Sequence, residues 1–223
     1  MQNRQPLQHP FTKRENKAIP TLPDFGNAYN NLQPANYMLV LNPNQDLQDK
    51  ILKLKETFAN SYQAEYYRYT KPQIYISTFL QYEMEELKII NRLTQIARSI
   101  KPFSISLHGF GSQPTHSIFI NTSMEGIRHL AGEIKTANSL LTINKWNKAW
   151  YVNEPNIAIA KKLLPYQFEQ GWLEMQHTDF KASFIANEMV LLKKQPNQKS
   201  FKPLYSFVFE DRQTTIQQVS LFY

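Results

Sequence analysis

The chain predicts an α+β fold of mainly antiparallel sheet, arranged as two related lobes. The first observation behind this is an alternation of periods. Stretches with apolar residues at helical spacing separate short β-branched and aromatic runs, and the chain closes on a succession of strands. The second is an internal echo. Lys71-Pro72-Gln73-Ile74-Tyr75-Ile76-Ser77 and Glu154-Pro155-Asn156-Ile157-Ala158-Ile159-Ala160 share the order proline, amide, isoleucine, any residue, isoleucine, small residue. They read as two copies of one strand, each presenting a carboxamide at the same place. The third is size. With 223 residues, 42% of them hydrophobic, the chain can bury the core of one large domain or two small lobes.

Composition narrows the chemistry. Thirteen prolines against six glycines argue against a Gly-rich phosphate loop, and neither a Walker nor a Rossmann motif is found. The absence of cysteine excludes disulfides, thiolate metal sites and cysteine nucleophiles. No zinc pattern, nucleophile elbow or carboxylate pair stands out, so no metal and no cofactor is expected. The net charge of +7 admits a polyanionic partner such as RNA. Part of the excess, Arg4, Lys13, Arg14 and Lys17 against Glu15 and Asp24, lies in residues 1–36 and serves equally well as a soluble tail. No run approaches the ~18 apolar residues of a membrane span, and no apolar leader opens the chain. A cytoplasmic monomer that does not engage a membrane is the expectation.

The elements follow in order. Residues 1–36, rich in Gln, Asn and Pro, read as a mobile or extended arm that Phe11, Phe25 and Tyr29 can pin to the body, and residues 37–223 form the folded domain. Tyr37 to Leu41 is a buried strand closed by the turn Asn42-Pro43-Asn44. Asp46 reads as a helix cap, and Ile51, Leu52, Leu54 and Phe58 as the helix's apolar stripe. Next, Tyr66, Tyr67 and Tyr69 interleave with Arg68 and Lys71. This pattern suits base stacking and phosphate contact, though tyrosines packing a loop with wet hydroxyls explain it at least as well. Pro72 opens the first motif strand, where its missing N–H breaks no ladder bond.

A helix from Tyr82 to Ile100 should bury Leu87, Ile90, Leu93 and Ile96. Phe103 to Phe110 alternates as a strand, Gly109 and Gly111 punctuate a loop, and His116 to Ile120 is another strand. A helix from Ser123 to about Leu141 should bury Met124, Ile127, Leu130 and Ile134. A polar aromatic loop, Trp146 to Asn153, leads into the second motif. Phe168, Trp172 and Met175 mark a further helix. Strands at 180–185, 189–192, 204–209 and around 216–222 end the chain, with a basic turn from Lys193 to Lys199 among them.

On these residues the chain resembles the two-histidine phosphoesterase superfamily, in its 2′-5′ RNA ligase-like, cyclic phosphodiesterase branch. Lys71-Pro72-Gln73-Ile74-Tyr75-Ile76 is similar to the family's Lys-Pro-His-Ile-Thr-Leu. Pro155-Asn156-Ile157-Ala158-Ile159-Ala160-Lys161-Lys162-Leu163 is similar to its Pro-His-Leu-Thr-Ile-Ala-Arg-Lys-Leu. The flanks agree. Lys101-Pro102-Phe103 leads into Leu107-His108-Gly109-Phe110-Gly111, Phe180 to Phe184 is followed by Val190 to Lys193, and the likeness spans roughly residues 37–210. The resemblance implies two pseudo-symmetric lobes with helices outside and a central cleft lined by the motif strands.

It also implies chemistry. In the family one histidine acts as base and the other as acid on a cyclic or 2′-5′ phosphodiester, and the threonines bind the phosphate. Here Gln73 and Asn156 stand at the histidine positions, Tyr75 and Ala158 at the threonine positions. A carboxamide donates and accepts hydrogen bonds but has no ionisation near neutral pH. General acid–base catalysis is worth about 10²–10⁴ per positioned group, so losing both removes most of the family's rate. His9, His108, His116, His129 and His177 show no spacing that replaces them. No residue is therefore assigned a catalytic role. Gripping a phosphate needs no proton exchange, so the expected ligand-binding residues are Gln73, Tyr75, Asn156, Arg68, Lys71, Lys161 and Lys162, and the expected ligand an RNA or cyclic nucleotide. Two alternatives stay open. One is an active 2′,3′-cyclic phosphodiesterase or 2′-5′ ligase with altered catalytic residues; the other is a protein-interaction module whose cleft is filled.

Overall fold

The structure, a computed structural model, describes residues 33–212. The arm apart from its last four positions, with His9, Phe11, Phe25 and Tyr29, lies outside the described residues, as does the strand expected around 216–222. The described chain runs β1 (Ala35–Leu41), α1 (Gln45–Tyr62), β2 (Ile74–Gln81), α2 (Glu86–Ser99), β3 (Phe103–Gln113), β4 (Ser117–Thr122), α3 (Glu125–Lys135), α4 (Asn138–Leu141), β5 (Trp150–Tyr151), β6 (Asn156–Lys161), α5 (Pro165–Met175), β7 (Lys181–Ala186), β8 (Glu188–Lys194) and β9 (Lys202–Val208). One-turn 3-10 helices at Glu65–Tyr67 and Glu83–Glu85 precede β2 and α2.

The strands form two sheets, one ordered β5-β2-β1-β8-β9 and the other β6-β4-β3-β7. Every pairing is antiparallel, so the α+β reading holds. The sheets do not divide the chain at its middle. β3 and β4 leave the first sheet to pair with β7 and β6, and β8 returns to lie beside β1. The helices cross over too. α1, which connects β1 and β2, packs on β6 of the other sheet and on α5, while α2 packs on β9. One continuous core results, with Leu39, Ile51, Ile76, Leu93, Ile120 and Ile157 among its buried members.

Both motif strands carry a β-bulge at the same point. Opposite β1 the register steps between Ser77 and Tyr75, so Ile76 is the extra residue. Opposite β4 it steps between Ala160 and Ala158, so Ile159 is extra. Each bulge falls three residues after the motif amide, and each added isoleucine is buried. A bulge increases local twist and re-aims the side chains beside it, and bulges favour functional rims. The echo in the sequence is thus an echo in backbone geometry.

Other elements differ from the sequence reading for local reasons. α1 starts directly after Asn44, so Asp46 sits inside the first turn, where its charge complements the helix dipole, rather than at the cap. α2 buries Ile89, Leu93, Ile96 and Ala97, leaving Ile90 at the margin and Leu87 exposed. Its rotation is set by ties around its start. Glu86 accepts a hydrogen bond from the Tyr37 hydroxyl (2.6 Å), and Lys193 pairs with Glu86 (2.5 Å) and Glu83 (2.9 Å). The helix expected from Ser123 to Leu141 is two helices. At the break the Thr136 hydroxyl donates to the Glu133 carbonyl (2.7 Å), competing with the helical ladder.

Gly109 and Gly111 lie within β3, not in a loop. Gly109 takes φ +55° as the bulged residue between His108 and Phe110, a conformation glycine adopts freely. At Gly111 a Cβ would stand 2.4 Å from Cε2 of Phe119 and 2.7 Å from Oδ1 of Asn121. The absent side chain lets the Phe119 ring lie across β3.

Candidate functional site

β2 and β6 meet where the two sheets approach each other. Beside that meeting a cavity of about 620 Å³ opens, lined from the first sheet by Tyr75 and Trp150 and from the second by Phe119, Asn156 and Lys161. Val152, Asn153 and Glu154 of the β5–β6 connection and Ser112 to Pro114 at the end of β3 complete it. Tyr75 and Asn156 are thus brought into one cavity from the two motif strands. Ala158 is buried opposite Phe119 in the register, so the ring occupies the neighbourhood of the second threonine position.

The amides are held differently. Gln73 lies just before β2 and donates from Nε2 to Oδ1 of Asn42 (2.9 Å); it is not among the lining residues. Its carboxamide cross-links the end of β1 to the start of the motif strand. Asn156 donates from Nδ2 to the Glu154 carbonyl (3.1 Å), which leaves its Oδ1 available to a ligand donor.

The remaining expected residues separate. Arg68 is spent on Glu56 (3.0 Å) and Glu65 (2.9 Å), and its Nε is buried without a partner among the described residues. Lys71 is exposed away from the cavity lining. Lys162 is exposed, with Nζ 4.3 Å from the Tyr66 ring centroid. Among the described residues Lys161 is the cation that lines the cavity. His108, His116, His129 and His177 are all exposed and none lines it. Among the described residues no cluster of His, Asp or Glu is placed to hold a metal ion.

Behind Tyr75 lies a cluster built on Lys55, a residue that sequence reasoning missed. Tyr67, on the 3-10 turn, shares a hydrogen bond with the Tyr75 hydroxyl (2.8 Å). Its ring lies 4.2 Å from Nζ of Lys55 and 5.2 Å from Nζ of Lys161, whose Nζ is also 5.1 Å from the Tyr75 ring. Lys55 projects from the buried face of α1, 1% exposed, and donates to the Thr70 carbonyl. Burial, then repulsion from Lys161, lowers its pKa to about 7. Burial also lowers Lys161, while burial and the neighbouring Tyr75 hydroxyl push Tyr67 well above the usual phenol range. Among the described residues neither lysine has a salt-bridge partner. The one available signal was a lysine at the centre of a helix's apolar stripe, four residues after Ile51 and three before Phe58. Lysines at such positions usually snorkel to water, so pattern alone does not mark this one.

Two antiparallel sheets, each offering a bulged motif strand to a shared cleft, make up a fold that this chain shares with several solved structures. TT0787 of Thermus thermophilus superposes with a TM-score of 0.58 at 13% identity, covering 80% of this chain and 100% of that one. A protein described as a phosphoesterase gives 0.55 at 11% identity over 79% of this chain and 99% of that one. E. coli LigT complexed with 3′-AMP gives 0.52 at 10% identity over 79% and 98%. The sequence matches no protein-family model, nor does any curated protein match it. At these identities the likeness is one of fold.

Proposed function

We propose that this protein is a catalytically inactive 2′-5′ RNA ligase-like protein whose inter-lobe cleft binds a nucleotide or an RNA phosphodiester. The observation that carries the reading is the cavity that Tyr75 and Asn156 enter from the two motif strands, with Lys161 at its wall. The tyrosine hydroxyl and the Lys161 ammonium supply donors for a phosphate, and the rings of Phe119 and Trp150 supply faces for a base. The structures of E. coli LigT with 3′-AMP, ATP and NADP+ are of one protein of similar fold in complex with three nucleotides. Carboxamides at both histidine positions leave no imidazole to cycle a proton.

The Lys55–Tyr67–Tyr75 cluster favours a second reading, hydrolysis with a lysine or tyrosine replacing the histidines. Two facts weigh against it. The Lys55 amine is buried and bound to Thr70, outside the cavity lining, and burial makes Tyr67 harder to ionise. The open cavity also speaks against a filled cleft serving only as a protein-interaction module.

The test is direct. Purified protein is expected to show no turnover of 2′,3′-cyclic nucleotides or 2′-5′-linked dinucleotides, yet to bind a 2′,3′-cyclic nucleotide in a calorimetric titration at low salt. Lys161→Ala should weaken that binding about tenfold, the scale of one charge-assisted hydrogen bond. Turnover abolished by Gln73→Ala or Tyr75→Phe overturns the assignment of inactivity, and a flat titration overturns the assignment of binding.

A further inference from the structure

The cleft does not end at Trp150. That residue also lines a second cavity of about 280 Å³, whose wall includes Thr78, Leu80, Trp146, Lys148 and Phe201. Trp146 is 81% exposed and Trp150 51% exposed, an unusual cost in apolar surface for two large rings on one face.

Both rings are carried on built structure. Trp150 belongs to β5, paired with Thr78, and its carbonyl accepts from the buried Ser77 hydroxyl (2.8 Å). Trp146 sits in a tight turn in which Oδ1 of Asn144 accepts from the backbone N–H of Trp146 (2.9 Å) and of Asn147 (3.0 Å). The third ring, Phe201, comes from the β8–β9 hairpin, with Nζ of Lys194 5.4 Å from its centroid, and Nζ of Lys145 stands 4.9 Å from the Trp146 ring.

The segments that carry these rings hold charge of one sign, the nearest carboxylates, Glu83 and Glu86, being bonded to Lys193 and Tyr37. No Asp or Glu occurs from Thr142 to Asn153 or from Met189 to Phe209, whereas those segments carry Lys145, Lys148, Lys194, Lys199 and Lys202, besides the Lys193 already paired with Glu83 and Glu86. Exposed aromatic faces set among lysines that have no salt-bridge partner among the described residues suit a ligand with alternating flat bases and phosphates, and single-stranded nucleic acid is bound in this way. An apolar protein surface would find the lysines unfavourable to desolvate.

We propose that the face formed by Trp150, Trp146, Lys148 and Phe201 is a stacking platform for single-stranded RNA, continuous with the cleft. Resting on the reading of the cleft as a nucleotide site, it makes the ligand an oligonucleotide, with one nucleotide in the cleft and the next bases on the two tryptophans.

The experiment compares a fluorescently labelled hexauridylate with uridine 2′,3′-cyclic phosphate. The hexamer should bind at least about tenfold more tightly. Trp146→Ala, at an exposed position where folding is not at risk, should weaken the hexamer about tenfold and leave the mononucleotide unchanged. Lys148→Ala should reduce the salt slope of hexamer binding by about 0.7, one phosphate contact, which a merely structural role would not do. A hexamer no tighter than the mononucleotide, or indifferent to Trp146, overturns the platform and leaves the cleft reading standing. Trp146-dependent hexamer binding without mononucleotide binding supports the platform and sinks the cleft reading. Flat titrations with both overturn both, and leave the tryptophan face to a protein partner.

Discussion

Replacing Lys55 by methionine should stabilise the protein at neutral pH, by an amount that shrinks as the pH rises. Lys55 is 1% exposed, has no carboxylate partner among the described residues, and faces the charge of Lys161. Its pKa falls from the ordinary 10.5 to about 7 on folding. At ~1.4 kcal/mol per pH unit, that difference sets an upper limit of roughly 5 kcal/mol on the folding free energy forfeited below neutrality. Because the folded-state value is the lower one, the unfolded chain binds more protons between about pH 7 and 10.5. Stability therefore climbs across that window and the penalty vanishes above it. Methionine fills a similar volume without the charge, but leaves the Thr70 carbonyl without its donor, a loss of about 1 kcal/mol. The net gain is about 3 kcal/mol at pH 7 and about 1 kcal/mol at pH 9. Urea unfolding of both proteins across this range reads the difference directly. Two stability curves that run parallel in pH, or a variant less stable than the parent at pH 6, would refute the account of Lys55 as a buried amine without a counter-charge.

Three further outcomes are expected. Gly111→Ala should cost about 1–3 kcal/mol in chemical denaturation, because the new methyl must displace the Phe119 ring or the Asn121 amide. Tyr75→Phe should cost about 1 kcal/mol by removing the hydroxyl that Tyr67 bonds, a loss that unfolding measurements at fixed pH can detect. The hydrogen bond to Lys193 holds Glu83 below the usual carboxylate range, with Gln195 adding a second donor. Its contribution is fully present above the unfolded carboxylate pKa and disappears as pH falls through the lower folded value. Glu83→Gln should therefore be less stable than the parent at about pH 6 and lose less stability on going to about pH 3, as thermal melts at the two pH values can show.

Local pattern carried much of this molecule. The strand at Tyr37–Leu41, the helices beginning near Gln45 and Glu86, and β7 and β8 follow from period and composition, and the paired motif strands follow from repetition. What failed did so where a distant partner decides. Leu87 lost its place in the core because Lys193 and Tyr37, from β8 and β1, fix the turn of α2. β5 read as a loop because two residues hold too little pattern, and it is a strand only because β2 accepts it. Gly109 and Gly111 read as punctuation because glycine marks loops and bulges alike.

By itself the sequence determined the class of fold, the duplication of the motif strand, and the chemistry present at its four key positions. Those properties are local: side-chain type, spacing and period are written along the chain. Only the tertiary structure decided which of those positions share a cavity. It turned Tyr75 and Asn156 into one space, tied Gln73 to Asn42, spent Arg68 on two glutamates, and set Lys55 behind the paired tyrosines. These outcomes depend on which strands pair and how far a bulge turns them, and on helices crossing to the opposite sheet. Such non-local contacts have no signature in any single segment.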